Sequence, residues 1–391
     1  MNSRPRLLSR PAARTGRPAR TTPGPRPRLR LRRPSRRALR RGALVVALAV
    51  LLPVLAAGVA LRLEFAGDPS GAGPDRGRNA VWLGHAWVDG RRDAADLAAL
   101  GRQLRGSGTR DLYVHTGPLE FDGGLDPALY PGAASLVREV HRALPGVRVQ
   151  AWLGQVVSHH GEQGLHLDDP ATRARIGASA GQALAAGFDG VHLDLEPMYS
   201  GDRGFLDVLD SVRALTARRG AVLSVATHQI DPLPSLHVPA GALFHHPKWW
   251  SQAYFGAVAR RVDQVAVMAY DTSLPLESLF GGYVAQQTAL ALEVTPPSTD
   301  LLIGLPGYHT NNLGHHAWAE TVAAAARGAR LGLARHDPAR ERFGLALYVD
   351  FHATADDWAA FRSAWGPEDD GTRTTGDGGD HPPTKAAAPV P

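Results

Sequence analysis

The chain has 391 residues, of which 44% are hydrophobic, so it is long enough for one large globular domain with additional segments. It contains no Cys, which excludes disulfides, thiolate metal ligands and cysteine nucleophiles. The formal net charge of +6 misleads, because residues 1–41 hold fifteen Arg and no acidic residue. The remaining chain has 28 basic and 37 acidic residues, so the basic character belongs to the N-terminal tail.

The N-terminus is predicted to be an Arg-rich disordered tail over residues 1–41, followed by an apolar segment over residues 42–62. Residues 42–61 contain no charge and are rich in Val, Leu and Ala. Their length matches the roughly 20 apolar residues of a membrane-spanning helix. A basic tail before such a segment favours a cytoplasmic leader that obeys the positive-inside rule over a nucleic-acid-binding arm. We therefore predict a membrane contact through residues 42–62 and no nucleic-acid partner.

Two fates of the apolar segment remain open. It is either a retained transmembrane anchor or a secretory signal that is cleaved near the small residues 56–58. The first makes the chain a single-pass protein of the cell membrane with its C-terminal domain extracytoplasmic, and the second makes it secreted. Residues 63–78 are predicted to be a linker, and residues 367–391 a disordered C-terminal tail.

The middle of the chain repeats one order of elements, in which a short apolar run is followed by a polar loop and an amphipathic helix. Strands are predicted near 80–87, 111–115, 147–153, 190–195, 221–227, 264–270, 301–305 and 344–351. Helices are predicted over stretches such as 94–105, 133–143, 171–186, 205–218, 252–261 and 317–331. Eight such units predict a (β/α)₈ TIM barrel over residues 79–366, preceded by a single N-terminal transmembrane helix or signal anchor. No Gly-x-Gly-x-x-Gly follows the first strand, which argues against a dinucleotide-binding domain.

The fourth predicted strand alternates polar and aliphatic residues. His192, Asp194 and Glu196 share one parity, and the residues between them are aliphatic. A strand sends alternate side chains to opposite faces, so the polar set is predicted to face the barrel interior. Barrel enzymes place their chemistry at the C-terminal ends of the strands, and this pattern therefore predicts an active site.

Two motifs on predicted strands resemble those of glycoside hydrolase family 18, the chitinase family. The fourth strand reads Asp189-Gly190-Val191-His192-Leu193-Asp194-Leu195-Glu196, which is similar to the family's Asp-Gly-x-Asp-x-Asp-x-Glu. The sixth closes with Met268-Ala269-Tyr270-Asp271, which resembles Met-x-Tyr-Asp. The chain departs from the family in three places. His192 replaces the middle Asp, Gly154-Gln155 replaces paired glycines, and Tyr348-Val349-Asp350-Phe351 lacks the usual Trp.

The resemblance implies a membrane-anchored extracytoplasmic glycoside hydrolase that acts on an N-acetylhexosamine-containing glycan without a cofactor. In this family the 2-acetamido group of the substrate is the nucleophile. Glu196 would then be the general acid and base, Asp194 would hold the acetamide N–H, and Tyr270 would bond the acetamide oxygen. His192 would donate an N–H to Asp194. The further substrate-binding candidates are His192, Asp271, Trp87, Trp152, Gln155, His228, Tyr308 and Trp249. For Trp249 and Trp250, sugar stacking and packing onto the barrel rim remain alternatives.

Other functions compete with this hypothesis. A two-carboxylate retaining barrel needs an acid at the end of the seventh strand, where residues 305–309 offer none. A catalytically degenerate, chitinase-like carbohydrate-binding protein is favoured by His192 and opposed by the retained Glu196. A metal-dependent barrel hydrolase is suggested by the 17 His, but neither His-x-His at the first strand nor His-Glu-x-x-His occurs. We therefore predict no metal ligands.

Overall fold

The computed structural model describes residues 36–159, 161–239 and 247–366. Within them eight parallel strands close into a barrel in chain order. The strands are β1 (Asn79–Leu83), β2 (Thr109–Pro118), β3 (Arg148–Val156), β4 (Gly190–Glu196), β5 (Val222–Thr227), β6 (Gln264–Val267), β7 (Asp300–Pro306) and β8 (Phe343–Tyr348). The closed (β/α)₈ architecture predicted from the sequence is therefore confirmed.

One helix precedes the first strand, and the others follow the strands and surround the barrel. They are α1 (Arg36–Phe65), α2 (Ala94–Leu104), α3 (Ala133–Ala143), α4 (Pro170–Ala185), α5 (Arg203–Arg219), α6 (Gln252–Ala259), α7 (Glu277–Val294), α8 (Val322–His336) and α9 (Ala355–Ser363). Side-chain caps begin several of them, as at Asp93 of α2, where a reciprocal capping box with Asp96 satisfies two backbone donors. Thr354 caps α9 in the same way.

Residues of β4 alternate between two faces, as the sequence predicted: the aliphatic set faces the helices and the polar set faces the barrel interior. Val191, Leu193 and Leu195 are at most 3% exposed and belong to the core between strands and helices. A second, smaller apolar cluster fills the barrel interior and includes Trp82, Tyr113 and Trp152. His192 lies among these interior aromatics. The interior is thus a packed core and not a channel.

The lower interior of the barrel holds a paired charge. The Arg148 guanidinium donates to both oxygens of the Asp111 carboxylate, at 2.8 and 2.6 Å. Gln150 and Gln264 also donate to this carboxylate, at 2.8 and 3.1 Å. Tyr113 in turn donates to Gln264 at 2.6 Å. The buried Asp111 therefore has the partners that a desolvated carboxylate requires.

Some element boundaries differ from the sequence prediction. Strand β1 ends at Leu83, because His85–Trp87 form a 3-10 helix in the stretch predicted as strand. Strand β6 ends at Val267, and helix α8 begins at Val322 after the Thr321 cap. Helix α7 was not among the predicted helices. It is buried on most sides, between neighbouring helices and the barrel, so its sequence lacks the amphipathic period that predicts surface helices.

The N-terminal helix α1 runs through the predicted apolar segment and ends at Phe65. Residues Ala47–Phe65 are long and apolar enough to cross a membrane, a property that signal sequences share. The predicted Arg-rich tail lies outside the described residues up to position 35, as does the whole predicted C-terminal tail, residues 367–391.

Residues 63–78, predicted to be a linker, make defined contacts with the barrel's outer helices. The Arg335 side chain donates to the Glu64 carboxylate at 2.9 Å, and Ala72 in the 3-10 helix Pro69–Ala72 is fully buried. Glycine at position 281 permits the close approach, because a Cβ there would stand 2.1 Å from Phe65 Cε2. This segment is therefore packed against α7 and α8 and does not form an extended tether.

Candidate active site

A cavity of about 560 Å³ opens at the C-terminal ends of the strands. Its wall includes Asp194 and Glu196 from β4, Tyr270 and Asp271 after β6, Tyr308 after β7, and Tyr348 from β8. Four strands of a closed barrel thus direct polar side chains into one concave space, which is where barrel enzymes hold their substrates. The three side chains predicted to be catalytic, Asp194, Glu196 and Tyr270, all line this cavity.

The Glu196 carboxyl has the electrostatic surroundings of a proton donor. Its pKa is raised to about 8, first by desolvation and then by the negative charges of Asp194 and Asp271. The pKa of Asp194 is raised to about 6 by desolvation, and a hydrogen bond from Trp152 partly opposes that shift. Two neighbouring carboxyl groups with separated pKa values allow one to be protonated while the other is ionised.

Asp194 is held through one oxygen only. Trp152 Nε1 donates to Asp194 Oδ2 at 2.9 Å. Asp194 Oδ1 is buried and has no hydrogen-bond partner among the described residues. A buried acceptor without a donor is costly, because it has lost its hydration without compensation. This oxygen is therefore suited to accept a hydrogen bond from a bound ligand.

Trp152 is thus a positioning residue for Asp194, and its replacement is a test of that role. We expect Trp152→Phe to lower kcat about tenfold, since the loss of one hydrogen bond to a charged group costs about 1.5–3 kcal/mol. Without the indole N–H the pKa of Asp194 rises, and the acid limb of the pH–rate profile moves to higher pH. Trp87→Phe is the matched control, because Trp87 bonds Asp350, away from the cavity wall. An unshifted acid limb in Trp152→Phe would contradict the assignment.

His192 lies below the cavity and does not contact Asp194 by a hydrogen bond, so the predicted N–H donation to Asp194 is wrong. Its Nε2 accepts from Trp82 Nε1 at 3.0 Å, and an indole nitrogen only donates. His192 Nδ1 therefore carries the proton and donates to Ser224 Oγ at 2.7 Å. Burial lowers the pKa of His192 to about 3, so the ring is neutral. The predicted substrate contact is also absent, because His192 is fully buried.

Three tyrosines form one side of the cavity. The Tyr270 and Tyr348 rings stack with centroids 5.5 Å apart, and Tyr308 contacts both edge-on. Burial raises the pKa of Tyr270 well above its ordinary value, so its hydroxyl stays protonated as a donor. Gly304 of β7 makes room for this ring, because a Cβ there would stand 2.9 Å from Tyr270 Cε1.

Three further predicted residues join the cavity wall, namely His228, Asp271 and Tyr308. His228 Nε2 accepts the Met198 backbone N–H at 3.0 Å and lies 4.0 Å from Glu196 Oε1. The Tyr308 hydroxyl donates a hydrogen bond to Asp271 Oδ1. These contacts connect the loop after β4 to β5, and the loop after β6 to β7.

Besides His192, four predicted substrate-binding residues lie outside the cavity lining. Trp152 supports Asp194 from behind, whereas Trp87 Nε1 donates to Asp350 at 2.7 Å. Gln155 donates to the Leu119 carbonyl. Trp249 Nε1 donates to the Tyr283 hydroxyl at 2.7 Å.

Trp250, the other candidate for sugar stacking, is 1% exposed and donates to the Met198 carbonyl at 2.8 Å. Packing onto the barrel rim, the second alternative for Trp249 and Trp250, is therefore the arrangement found for this pair.

The structure also places residues in the cavity wall that the sequence prediction missed. They are Gln229, Lys248, Met268, Thr310, Asn312 and Tyr348, together with Pro247 and His352. Tyr348 stands at the end of β8, where the family motif has Trp, and its aromatic ring was a usable signal. Met268 begins the motif quoted for the sixth predicted strand, and Gln229 lies in the two-residue strand Gln229–Ile230. The rest come from loops, where no periodic pattern indicates which side chains point inward.

Histidines at the strand ends, which suggested a metal-dependent hydrolase, have separate partners. His85 Nδ1 contacts the His115 carbonyl oxygen at 3.0 Å, and His309 Nε2 contacts Asp357 at 2.8 Å. His192 is enclosed by Trp82 and Ser224. Within the described ranges, the one group of three potential metal ligands lies elsewhere, in loops after β6 and β7.

Comparisons with solved structures give the fold. The spore cortex-lytic enzymes SleL of Bacillus cereus and Bacillus megaterium each share 13% identity with the chain, over 74% of both chains, with TM-scores of 0.52 and 0.51. A chitinase from Chromobacterium violaceum shares 14% identity, over 74% of this chain and 99% of its own, with a TM-score of 0.49. No family model and no curated protein sequence matches the chain.

The chain shares the closed (β/α)₈ barrel fold of the two SleL enzymes. The predicted motif strands, the fourth and the sixth, are β4 and β6 of the closed barrel, and both contribute to the cavity wall. At these identities the likeness concerns architecture, so the chemistry is argued from this chain's own residues.

Proposed function

We propose that the chain is a glycoside hydrolase that cleaves an N-acetylated polysaccharide with retention of configuration, with Glu196 as general acid and then base. The observation that carries this proposal is the pair on β4. Glu196 has a pKa raised to about 8, and Asp194 beside it presents a buried oxygen without a donor. Both share a cavity with the Tyr270 hydroxyl. No second carboxylate nucleophile is needed when the substrate supplies one.

In the first step the acetamide oxygen of the substrate attacks the anomeric carbon. The bond from that carbon to the leaving oxygen breaks as Glu196 gives its proton to that oxygen. A cyclic oxazolinium then carries the positive charge, which the Asp194 carboxylate stabilises while it accepts the acetamide N–H. Tyr270 donates a hydrogen bond to the acetamide oxygen and orients it for attack.

In the second step a water molecule attacks the anomeric carbon and the bond to the acetamide oxygen breaks. Glu196, now ionised, takes a proton from that water and returns to its starting state. Two inversions at one carbon give net retention. The role of His192 in this scheme is indirect, because it supports the floor of the barrel below the reacting groups.

The substrate class follows from the site and from location. A carbohydrate with a 2-acetamido group is the ligand whose N–H and carbonyl oxygen match Asp194 and Tyr270. The apolar stretch in α1 supports a barrel outside the cytoplasm, either held by a single-pass anchor or secreted after cleavage. A cell-envelope glycan fits both, and the two SleL structures belong to spore cortex-lytic enzymes.

A thiazoline analogue of N-acetylglucosamine tests the proposal directly, because it mimics the cyclic intermediate. We expect competitive inhibition at least about tenfold tighter than by N-acetylglucosamine, as intermediate analogues exceed ground-state ligands in affinity. The same compound should bind more weakly to Asp194→Asn. Glycan binding without turnover, and without a preference for the thiazoline, would instead indicate a degenerate carbohydrate-binding protein, for which the replacement of the expected Trp by Tyr348 is the supporting observation.

The two β4 carboxyl groups predict a bell-shaped pH dependence. Catalysis needs Glu196 protonated, so activity falls about tenfold per pH unit above the raised pKa of about 8. It also needs Asp194 ionised, so activity falls as the pH drops below about 6. Because the two carboxyl groups interact, the apparent pKa of each limb describes the pair and not a single residue. A profile of kcat/KM from pH 4 to 10 measures both limbs, and a flat profile between 6 and 10 would contradict the assignment of Glu196.

A further inference from the structure

Three ligand-type side chains meet beside the cavity, in the loops after β6 and β7. His315 Nδ1 lies 3.2 Å from Asp271 Oδ1 and 3.4 Å from Glu320 Oε2. One ligand atom from each of the three lies within 4.8 Å of the others. None of the three has a part in the proposed transfer of the glycosyl group, so the cluster needs a separate explanation.

His315 is the unusual member of the group. Its side chain is fully buried, and neither ring nitrogen has a hydrogen-bond partner among the described residues. Two carboxylate oxygens stand near Nδ1, but the hydrogen-bond angle is satisfied to neither. Buried polar atoms are ordinarily paired. This imidazole is therefore positioned next to both acids without forming the bond that its position would allow.

The spacing suits ligands that share one ion. Zinc holds nitrogen and oxygen ligands at about 2.0–2.2 Å in a tetrahedron, which separates the ligand atoms by roughly 3.3–3.5 Å. The two separations from His315 Nδ1, 3.2 and 3.4 Å, are close to that range. One imidazole with two carboxylates is a borderline donor set that suits Zn²⁺ better than Ca²⁺, which takes six to eight oxygens.

The surroundings hold the acids in place. The Thr272 backbone N–H donates to both oxygens of the buried Glu320, each at 3.2 Å. The Tyr308 hydroxyl donates to Asp271, and the Tyr308 ring stacks on His315 with centroids 4.3 Å apart. Such outer contacts orient the ligands of a metal site. Asp271 also lines the cavity, so the cluster borders it.

Charge also favours a cation here. Glu320 is 1% exposed, and a buried carboxylate requires a compensating charge. Two further carboxylates, Asp194 and Asp271, lie in the cavity wall. Among the described wall residues, Lys248 is the one Lys or Arg side chain. With His315 neutral, as a metal ligand must be, Asp194, Asp271 and Glu320 exceed Lys248 by two negative charges, which a divalent ion balances.

We propose that Asp271, His315 and Glu320 form a divalent cation site of the Zn²⁺ class at the edge of the active-site cavity. This goes beyond the proposed hydrolysis, which needs no metal. The ion would join the loop after β6 to the loop after β7 and fix Asp271 in the cavity wall.

Zn²⁺ titration of the full-length protein, stripped with a chelator, tests the site without any sugar present. We expect one tight equivalent by calorimetry, with X-ray absorption showing nitrogen and oxygen ligands at about 2.0–2.2 Å. Glu320→Gln, which keeps the shape and removes the charge, is expected to weaken the affinity at least about 100-fold. The neighbouring His316→Gln is the matched control, since His316 stacks on Trp318 outside the cluster and its loss should leave the affinity unchanged.

Near-UV circular dichroism verifies that each variant folds. If Glu320→Gln does not fold, Asp271→Asn carries the test, because the Asp271 side chain is 55% exposed. Folded wild-type protein that takes up no stoichiometric Zn²⁺ would overturn the proposal and indicate a protonated His315 between the two acids. Tight binding that survives both ligand replacements would overturn it too. Neither outcome bears on the role of Glu196, because catalysis is not measured.

Discussion

Replacement of Glu196 by Gln is expected to lower kcat by about 10²–10⁴-fold, the range that general acid–base catalysis contributes. Gln keeps the shape of the side chain but has no carboxyl proton to transfer. The KM should change little, because Glu196 acts on the leaving oxygen and not on the bound acetamide. Steady-state hydrolysis of a chromogenic N-acetylglucosamine oligosaccharide measures both constants.

The leaving group separates loss of the acid from general damage to the site. A substrate with a strongly acidic leaving group needs less protonation, so Glu196→Gln should lose far less activity on it than on a natural glycan. Glu120→Gln is the matched control, since Glu120 stands beyond the end of β2 and is absent from the cavity lining. Equal losses on both substrates would argue against Glu196 as the proton donor, and wild-type activity in Glu196→Gln would end the proposed mechanism.

Replacement of His192 by Leu is expected to destabilise the fold by about 3 kcal/mol. The Trp82 indole N–H would remain buried without an acceptor, which costs about 1–3 kcal/mol. Ser224 Oγ would also lose the hydrogen bond that His192 Nδ1 donates to it. The stacking of His192 on Tyr113, with centroids 3.8 Å apart, would also be lost. Thermal unfolding should shift by about 6–12 °C, given roughly 2–4 °C per kcal/mol in domains near this size.

A double replacement identifies the cause of that loss. Trp82→Phe in the His192→Leu background removes the orphaned donor together with its acceptor, so it should cost much less than Trp82→Phe alone. Leu193→Met, on the opposite face of β4, is the control and should cost under about 1.5 kcal/mol. If His192→Leu unfolds at the wild-type temperature, the interior network has no structural role. His192 would then have to be explained by catalysis.

The acidic pair on β4, Asp194 and Glu196, illustrates what local sequence can predict. The alternation of polar and aliphatic residues along residues 190–196 predicted which side chains face the barrel interior and which face the helices, because alternate residues of a strand face opposite sides. The order of strands and helices predicted a closed parallel barrel, and in such a barrel the ends of neighbouring strands meet. The convergence of Asp194, Glu196 and Tyr270 on one cavity followed from that rule.

The partners of buried polar groups could not be obtained in this way. His192 was expected to bond Asp194, two residues away, but its acceptor nitrogen faces Trp82, which is 110 positions distant in the chain. Trp152 takes the place beside Asp194 that His192 was expected to fill. Ser224 on β5 lies in register with His192, whereas Trp152 on β3 is also in register with His192 and its long side chain reaches Asp194. Partners of inward residues therefore come from adjacent strands, and the length of each side chain decides which one it reaches.

The sequence by itself determined the barrel, the parity of β4 and the positions of the acids at strand ends, because these depend on hydrophobic period and residue order. The tertiary structure alone decided which donors reach Asp194, that Trp250 is buried, and that His315 and Glu320 meet Asp271. Those contacts join residues from separate loops and strands. Their distances depend on how the closed barrel brings its ends together, a geometry that no local pattern encodes.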